Sequence, residues 1–176
     1  MTETRETDYG GEVAFVTNMP YKENSMVLYA GCGNKSNCGF FYERWFTENK
    51  HKIITLDKDK AANPDMVADL EKPLNIKNRF DAILLLSVLE HTKEPIEVLK
   101  NLKPLLNPGG FLVISAPLMV KEHDMPEDYW RFTRFGMVHL LHTAGYSLDV
   151  IETNTGKTRF FGTEYIRGYF VKAAVK

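Results

Sequence analysis

Short apolar runs alternate along the chain with segments whose apolar residues recur at helical spacing. Val27 to Ala30 reads as a strand, and Cys38 to Asn49 follows with Phe40, Phe41, Trp45 and Phe46 on one face of a helix. Lys52 to Leu56 predicts a second strand ending at Asp57, and Met66-Val67-Ala68 a brief third one ending at Asp69. Phe80 to Leu86 is apolar apart from Asp81, as in a central parallel strand covered on both faces. Pro95 to Leu106 has helical spacing through Ile96, Leu99, Leu102 and Leu106, and Asn107-Pro108-Gly109-Gly110 stops it. Phe111 to Ser115 predicts a fifth strand, Arg134 to Ala144 a helix closed by Gly145, and Tyr146 to Thr153 a sixth strand. Ile166 to Val175, rich in aromatic and β-branched residues, predicts a last strand pairing antiparallel beside the sixth.

This order implies an α/β fold, with a mostly parallel sheet, helices on both faces and an antiparallel last strand. The 176 residues fit one domain, expected over residues 13–176, behind a disordered segment over residues 1–12 that ends near the Gly10-Gly11 pair. Lys plus Arg (22) nearly equals Asp plus Glu (23), so the net charge of −1 supplies no general field toward nucleic acid or anionic membrane. Met1 to Gly11 lacks an apolar leader core, and no apolar run is long enough to span a bilayer; a cytoplasmic protein is expected. Cys32 and Cys38 are too few and wrongly spaced for a zinc site, and no metal ligand set is picked out.

In an open sheet of this kind the ligand lies beyond the carboxyl ends of the strands, where strand order reverses. Gly31 and Gly33 form a tight strand-to-helix turn whose backbone amides can approach a ligand closely. Asp57, about two dozen residues further on, can accept from both hydroxyls of a ribose; its plainer reading is a solvated carboxylate beside Lys58, Asp59 and Lys60. Asp69 can accept from the exocyclic amine of adenine while Leu70 packs on the ring, or can simply cap a turn. His91 follows the central strand, and imidazole as a group titrates near neutral pH, which makes it a candidate catalytic base; or else Glu90 and His91 start the next helix and merely line the pocket. His123, Tyr129 and Trp130 lie in a segment after the fifth strand that reads as a substrate-facing lid or as local packing.

Seven stretches in this order, Val27-Leu28-Tyr29-Ala30-Gly31-Cys32-Gly33, Thr55-Leu56-Asp57, Ala68-Asp69-Leu70, Phe80-Asp81-Ala82-Ile83, Ser87-Val88-Leu89-Glu90-His91, Leu106-Asn107-Pro108-Gly109-Gly110 and Asp128-Tyr129-Trp130-Arg131-Phe132-Thr133, together resemble the class I S-adenosylmethionine-dependent methyltransferases. The resemblance is to the small methyltransferase-domain family with a V-L-E-H motif, and it runs from Val27 to about Ile151. It implies a Rossmann-like doubly wound sheet in a three-layer α/β/α sandwich, with S-adenosyl-L-methionine as cofactor. The cofactor-binding set it implies is Ala30, Gly31, Cys32, Gly33, Asp57, Lys58, Asp69, Leu70 and Ser87. Two positions depart from the family pattern: Tyr29 stands where an acidic residue is usual, and Lys35 where a third glycine is usual.

The activity expected is methyl transfer to a small-molecule acceptor, with no nucleic acid and no membrane as partner. No Asn-Pro-Pro-Tyr signature follows the fourth strand, which disfavours methylation of a base amine in DNA. A homodimer could cover the rim. A non-catalytic relative with a drifted cofactor loop is the alternative, and a nicotinamide oxidoreductase fits less well because its third glycine would fall at Ser36.

Overall fold

The computed structural model describes residues 9–33, 39–157 and 164–175. Lys35 and Cys38 lie outside the described residues. Helix α1 (Tyr9–Thr17) precedes β1 (Met26–Ala30), α2 (Gly39–Glu48), β2 (Lys52–Asp57), β3 (Met66–Val67) and β4 (Phe80–Leu86). Then come α3 (Pro95–Leu102), β5 (Leu106–Pro117), α4 (Arg134–Thr143), β6 (Tyr146–Lys157) and β7 (Glu164–Val175).

The strands form one sheet in the order β3-β2-β1-β4-β5-β7-β6. β1 to β5 pair parallel, whereas β7 pairs antiparallel with both β5 and β6. The single antiparallel strand therefore lies inside the sheet, between β5 and β6. Strand order reverses between β1 and β4, which opens a crevice at the carboxyl ends of those two strands.

Period-two alternation sends the residues of each central strand to two separate cores. Leu28 and Ala30 of β1, Ile83 and Leu85 of β4 and Leu112 and Ile114 of β5 face α3 and α4, meeting Leu99, Leu102, Met137 and Leu141. Val27 and Tyr29, Ala82 and Leu84, and Phe111 and Val113 face α1 and α2, meeting Phe15, Val16, Tyr42 and Phe46. Burial on both faces is the reason that these strands read as continuous apolar runs. Tyr29 is thus a core residue, 5% exposed, with its ring edge-on to Tyr42 at 5.7 Å.

Three expectations need correction. Of the tail expected to be disordered over residues 1–12, Tyr9 to Glu12 are helical, because Phe15 stacks on Phe170 at 5.5 Å and draws α1 onto the sheet. The third helix ends at Leu102 and continues only as a 3-10 turn over Lys103–Leu105, since Pro104 has no N–H to carry on the ladder. Asn107 to Gly110 belong to β5, where a register shift between Phe80 and Ala82 accommodates them. Among the described residues, no helix is long and apolar enough to cross a membrane.

Candidate active site

β1 delivers the chain into the glycine turn, where Gly31 and Gly33 have φ of +69° and +57°. At Gly31 a Cβ would lie 2.5 Å from Val88 Cγ2, so both the backbone and the space demand glycine. At Gly33 a Cβ would meet nothing within 4 Å among the described residues, so on their side this position opens onto free space. The turn is stitched to β2 by the N–H groups of Gly31 and Cys32, which both donate to Leu56 O at 2.8 and 3.2 Å.

Asp57 ends β2 and is 8% exposed, so it is not the solvated loop carboxylate of the plainer reading. Its Oδ2 accepts from Gly33 N at 2.7 Å and its Oδ1 from Asp59 N at 2.8 Å. Each oxygen keeps a second lone pair for a ligand hydroxyl. Lys58 is ion-paired with Glu127 from the segment after β5, and the pair bridges the two sides of the cleft. Asp69 Oδ1 accepts from Glu71 N at 2.9 Å, so the turn-capping reading of Asp69 holds for one oxygen. Glu71 Oε1 in turn accepts from Lys93 N and Glu94 N, each at 2.9 Å, and ties this loop to the start of α3.

Beyond β4 the chain turns sharply at Ser87, a non-glycine residue with φ of +51°. Its N–H is shared between Ser115 O at 3.1 Å and Ser115 Oγ at 3.0 Å, which holds the strained conformation in place. The 3-10 turn Leu89–His91 follows. Glu90 within it is fully buried, and neither carboxylate oxygen has a hydrogen-bond partner elsewhere among the described residues. Burial pushes its pKa up to about 8. His91 donates Nδ1–H to Glu127 O at 2.6 Å, which leaves the Nε2 lone pair available, 3.9 Å from Glu90 Oε1.

The segment from His123 to Phe132 is pinned over this turn. Tyr129 N and Trp130 N donate to Glu90 O at 2.7 and 3.3 Å, and Trp130 Nε1 donates to Thr92 O at 2.7 Å. Arg131 grips Asp128 with two parallel bonds of 2.6 and 2.7 Å, and holds that carboxyl well below the usual range. Asp128 Oδ2 also accepts from His123 N at 2.9 Å, and the His123 ring stands edge-on to His91 at 4.9 Å.

A cleft of about 280 Å³ occupies the switch point. Gly31, Gly33, Asp57, Lys58, Asp69, Leu70, Ser87 and His91 all line it. Ala30 and Cys32 are buried beside the turn, and His123, Tyr129 and Trp130 are absent from the cleft lining. Val88, Thr92, Asp124 and Glu127 line it as well, the last two from the segment after β5. Sequence reasoning named Glu90 only beside His91 as a helix start and pocket wall, and passed over Glu12; both are buried carboxylates. Glu12 Oε1 accepts from Tyr42 Oη at 3.1 Å, and burial raises its pKa. The only local signal for Glu90 was its place in Val-Leu-Glu-His, and for Glu12 there was none.

Residues 1–149 match the model of the methyltransferase domain family. A tRNA U34 carboxymethyltransferase from Nautilia profundicola is 28% identical over 158 residues, covering 81% of this chain and 51% of the relative. Another from Pseudoalteromonas atlantica is 33% identical over 108 residues, covering 53% of this chain and 32% of the relative. The chain spans about half or less of the length of these curated relatives. Among solved structures, an S-adenosylmethionine-dependent methyltransferase from Mesorhizobium loti superposes with a TM-score of 0.65 at 18% identity, covering 92% of this chain and 95% of that one. A 1,6-didemethyltoxoflavin-N1-methyltransferase from Burkholderia thailandensis, bound to S-adenosylhomocysteine, superposes with a TM-score of 0.64 at 18% identity, covering 88% and 72%.

These relatives correct one expectation. A small-molecule acceptor was expected from the missing Asn-Pro-Pro-Tyr signature and no nucleic-acid partner from the near-zero net charge, but the curated relatives are named for a tRNA substrate. Net charge reports the mean field of the whole surface and does not exclude a local contact patch. The match over most of the chain, the doubly wound sheet and the cleft at its switch point agree: the chain belongs to the methyltransferase domain family.

Proposed function

We propose that the chain transfers a methyl group from S-adenosylmethionine to a nucleoside of tRNA. The observation that carries the acceptor class is the likeness to curated tRNA-modifying relatives over 81% of the chain. The segment after β5 supports it. Trp130 has its indole nitrogen tied to Thr92 while 43% of the residue stays exposed, and Tyr129 beside it is 41% exposed. Phe135, 82% exposed, follows Arg134 a few residues on. Exposed rings beside cations are how proteins stack on unpaired bases, and such contacts need no strongly basic surface.

The cleft residues suit the cofactor. The free space at Gly33 admits the cofactor chain against the backbone, the lone pairs of Asp57 suit the ribose hydroxyls, and Asp69 with Leu70 suits the adenine. Ser87, Ala30 and Cys32 shape the floor of the turn, and Lys58 with Glu127 closes over it. When bound, the cofactor supplies a methyl group already activated on a sulfonium. The protein then has to hold the acceptor in line and keep water out, and His91 acts on the acceptor side through its Nε2.

The test is incubation with methyl-labelled S-adenosylmethionine and total tRNA, followed by digestion and mass spectrometry of nucleosides. One labelled nucleoside is expected, and its yield falls in Trp130→Ala. Absence of label from tRNA, under conditions where the cofactor binds, refutes the proposed acceptor.

A further inference from the structure

Glu90, His91 and His123 each present a donor atom, and these atoms all lie within 4.8 Å of one another. The cluster joins the 3-10 turn after β4 to the segment after β5, on the wall of the cleft that His91 lines. Three features set it apart from an ordinary cluster of polar side chains.

The first is Glu90. Its side chain is 1% exposed, and both of its oxygens lack a hydrogen-bond partner elsewhere among the described residues. Buried polar groups are almost always satisfied, so an orphaned carboxylate calls for a cation or a donor that completes it. The second is the outer hydrogen bonding of the two histidines. His91 gives Nδ1–H to Glu127 O at 2.6 Å, and His123 gives Nδ1–H to Lys121 O at 3.1 Å with Asp128 Oδ2 at 3.4 Å. A carbonyl oxygen can only accept, so both neutral rings carry their proton on Nδ1 and keep a lone pair on Nε2. Metal-binding histidines are oriented in just this way, with the other ring nitrogen donating to a carbonyl or carboxylate. The third is distance. Ligands held at about 2.0 to 2.1 Å in a tetrahedral site stand roughly 3.3 to 3.4 Å apart, so rotations that draw the donors up to about 1.5 Å closer complete the site.

We propose that Glu90, His91 and His123 bind one divalent first-row transition-metal ion. Two imidazoles and one carboxylate suit Zn²⁺, Co²⁺ or Mn²⁺, and three protein ligands leave a position open to water or to an oxygen of the acceptor. His91 then acts through the metal and not by taking a proton, because the ion uses the lone pair that a base would need. Only this use in turnover rests on the proposed methyl transfer.

The test is calorimetric titration of the chelator-treated full chain with ZnCl2 and with CoCl2, without cofactor or RNA, alongside the visible spectrum of the Co²⁺ form. One equivalent should bind, with the absorption of nitrogen-ligated, low-symmetry Co²⁺. Glu90→Gln and His123→Ala should each weaken binding at least tenfold. His142→Ala, on the exposed side of α4, should leave it unchanged. Circular dichroism verifies the fold of each variant, and His123→Ala decides the matter if the buried Glu90 variant does not fold. Failure to bind one equivalent overturns the proposal, as does binding undiminished in His123→Ala. Because neither cofactor nor RNA is present, that failure leaves methyl transfer to tRNA standing, and failure of the tRNA assay leaves the metal site standing.

Discussion

Gly31 and Gly33 sit two residues apart in one turn with similar φ, yet the structure assigns them different reasons to be glycine. Gly31→Ala meets two costs. An L-residue with φ near +69° costs about 1–2 kcal/mol. The new methyl would also stand 2.5 Å from Val88 Cγ2 and 3.0 Å from Cγ1, and overpacking of that kind costs about 1–3 kcal/mol. The sum, about 3 kcal/mol, lowers Tm by roughly 6–12 °C in a chain of this size. Gly33→Ala meets only the backbone cost, because among the described residues nothing lies within 4 Å of its added methyl, so Tm should fall by only about 2–8 °C. Val88→Ala removes both offending methyls while its Cβ remains 3.3 Å away, so it should recover part of the Gly31→Ala loss. Thermal melts of the two single variants and the double variant give the coupling, expected at about 1–3 kcal/mol in the rescuing direction. Strict additivity in that cycle, or equal losses at Gly31 and Gly33, refutes the packing argument and leaves backbone conformation as the only reason for both glycines.

Asp57→Ala removes the acceptor of two backbone N–H groups as well as the proposed ribose contact. A stability loss of about 2 kcal/mol is expected, together with loss of the rise in Tm expected when S-adenosylhomocysteine is added to the parent; unchanged melting with and without ligand would refute both roles. Glu12 has a pKa raised by burial, so its folded form resists ionisation more than its unfolded form. The resulting penalty is absent below the unfolded value near 4.5 and grows as pH rises through the higher folded value. Glu12→Gln, which faces Tyr42, Ser115 and the more distant Glu90, should therefore match the parent in stability at pH 4.5 and exceed it at pH 8. A stability difference that does not change with pH would show that Glu12 is ionised in the fold.

The sequence by itself determined the parts of the protein that local rules govern. β4 is legible because a strand covered on both faces must be apolar along its buried length, and Phe80 to Leu86 is, apart from the half-buried Asp81 next to its start. The glycine turn is legible because positive φ selects glycine, and Asp57 because a carboxylate at the end of β2 faces the switch point of such a sheet. Tertiary structure alone decided the rest. Gly10 and Gly11 weaken the intrinsic case for α1, and tertiary contacts, among them the stacking of Phe15 on Phe170, 155 residues later, and the bond from Tyr42 to Glu12, hold that segment as a helix. Lys58 meets Glu127 across 69 residues, and His91 meets His123 because the segment that carries His123 is hung from Glu90 O by Tyr129 and Trp130 and held to His91 through Glu127 O. Contacts of that separation depend on sheet order and loop path, which leave no period in the sequence. The same holds for the burial of Glu90: whether a carboxylate is solvated or orphaned is settled by what packs over it.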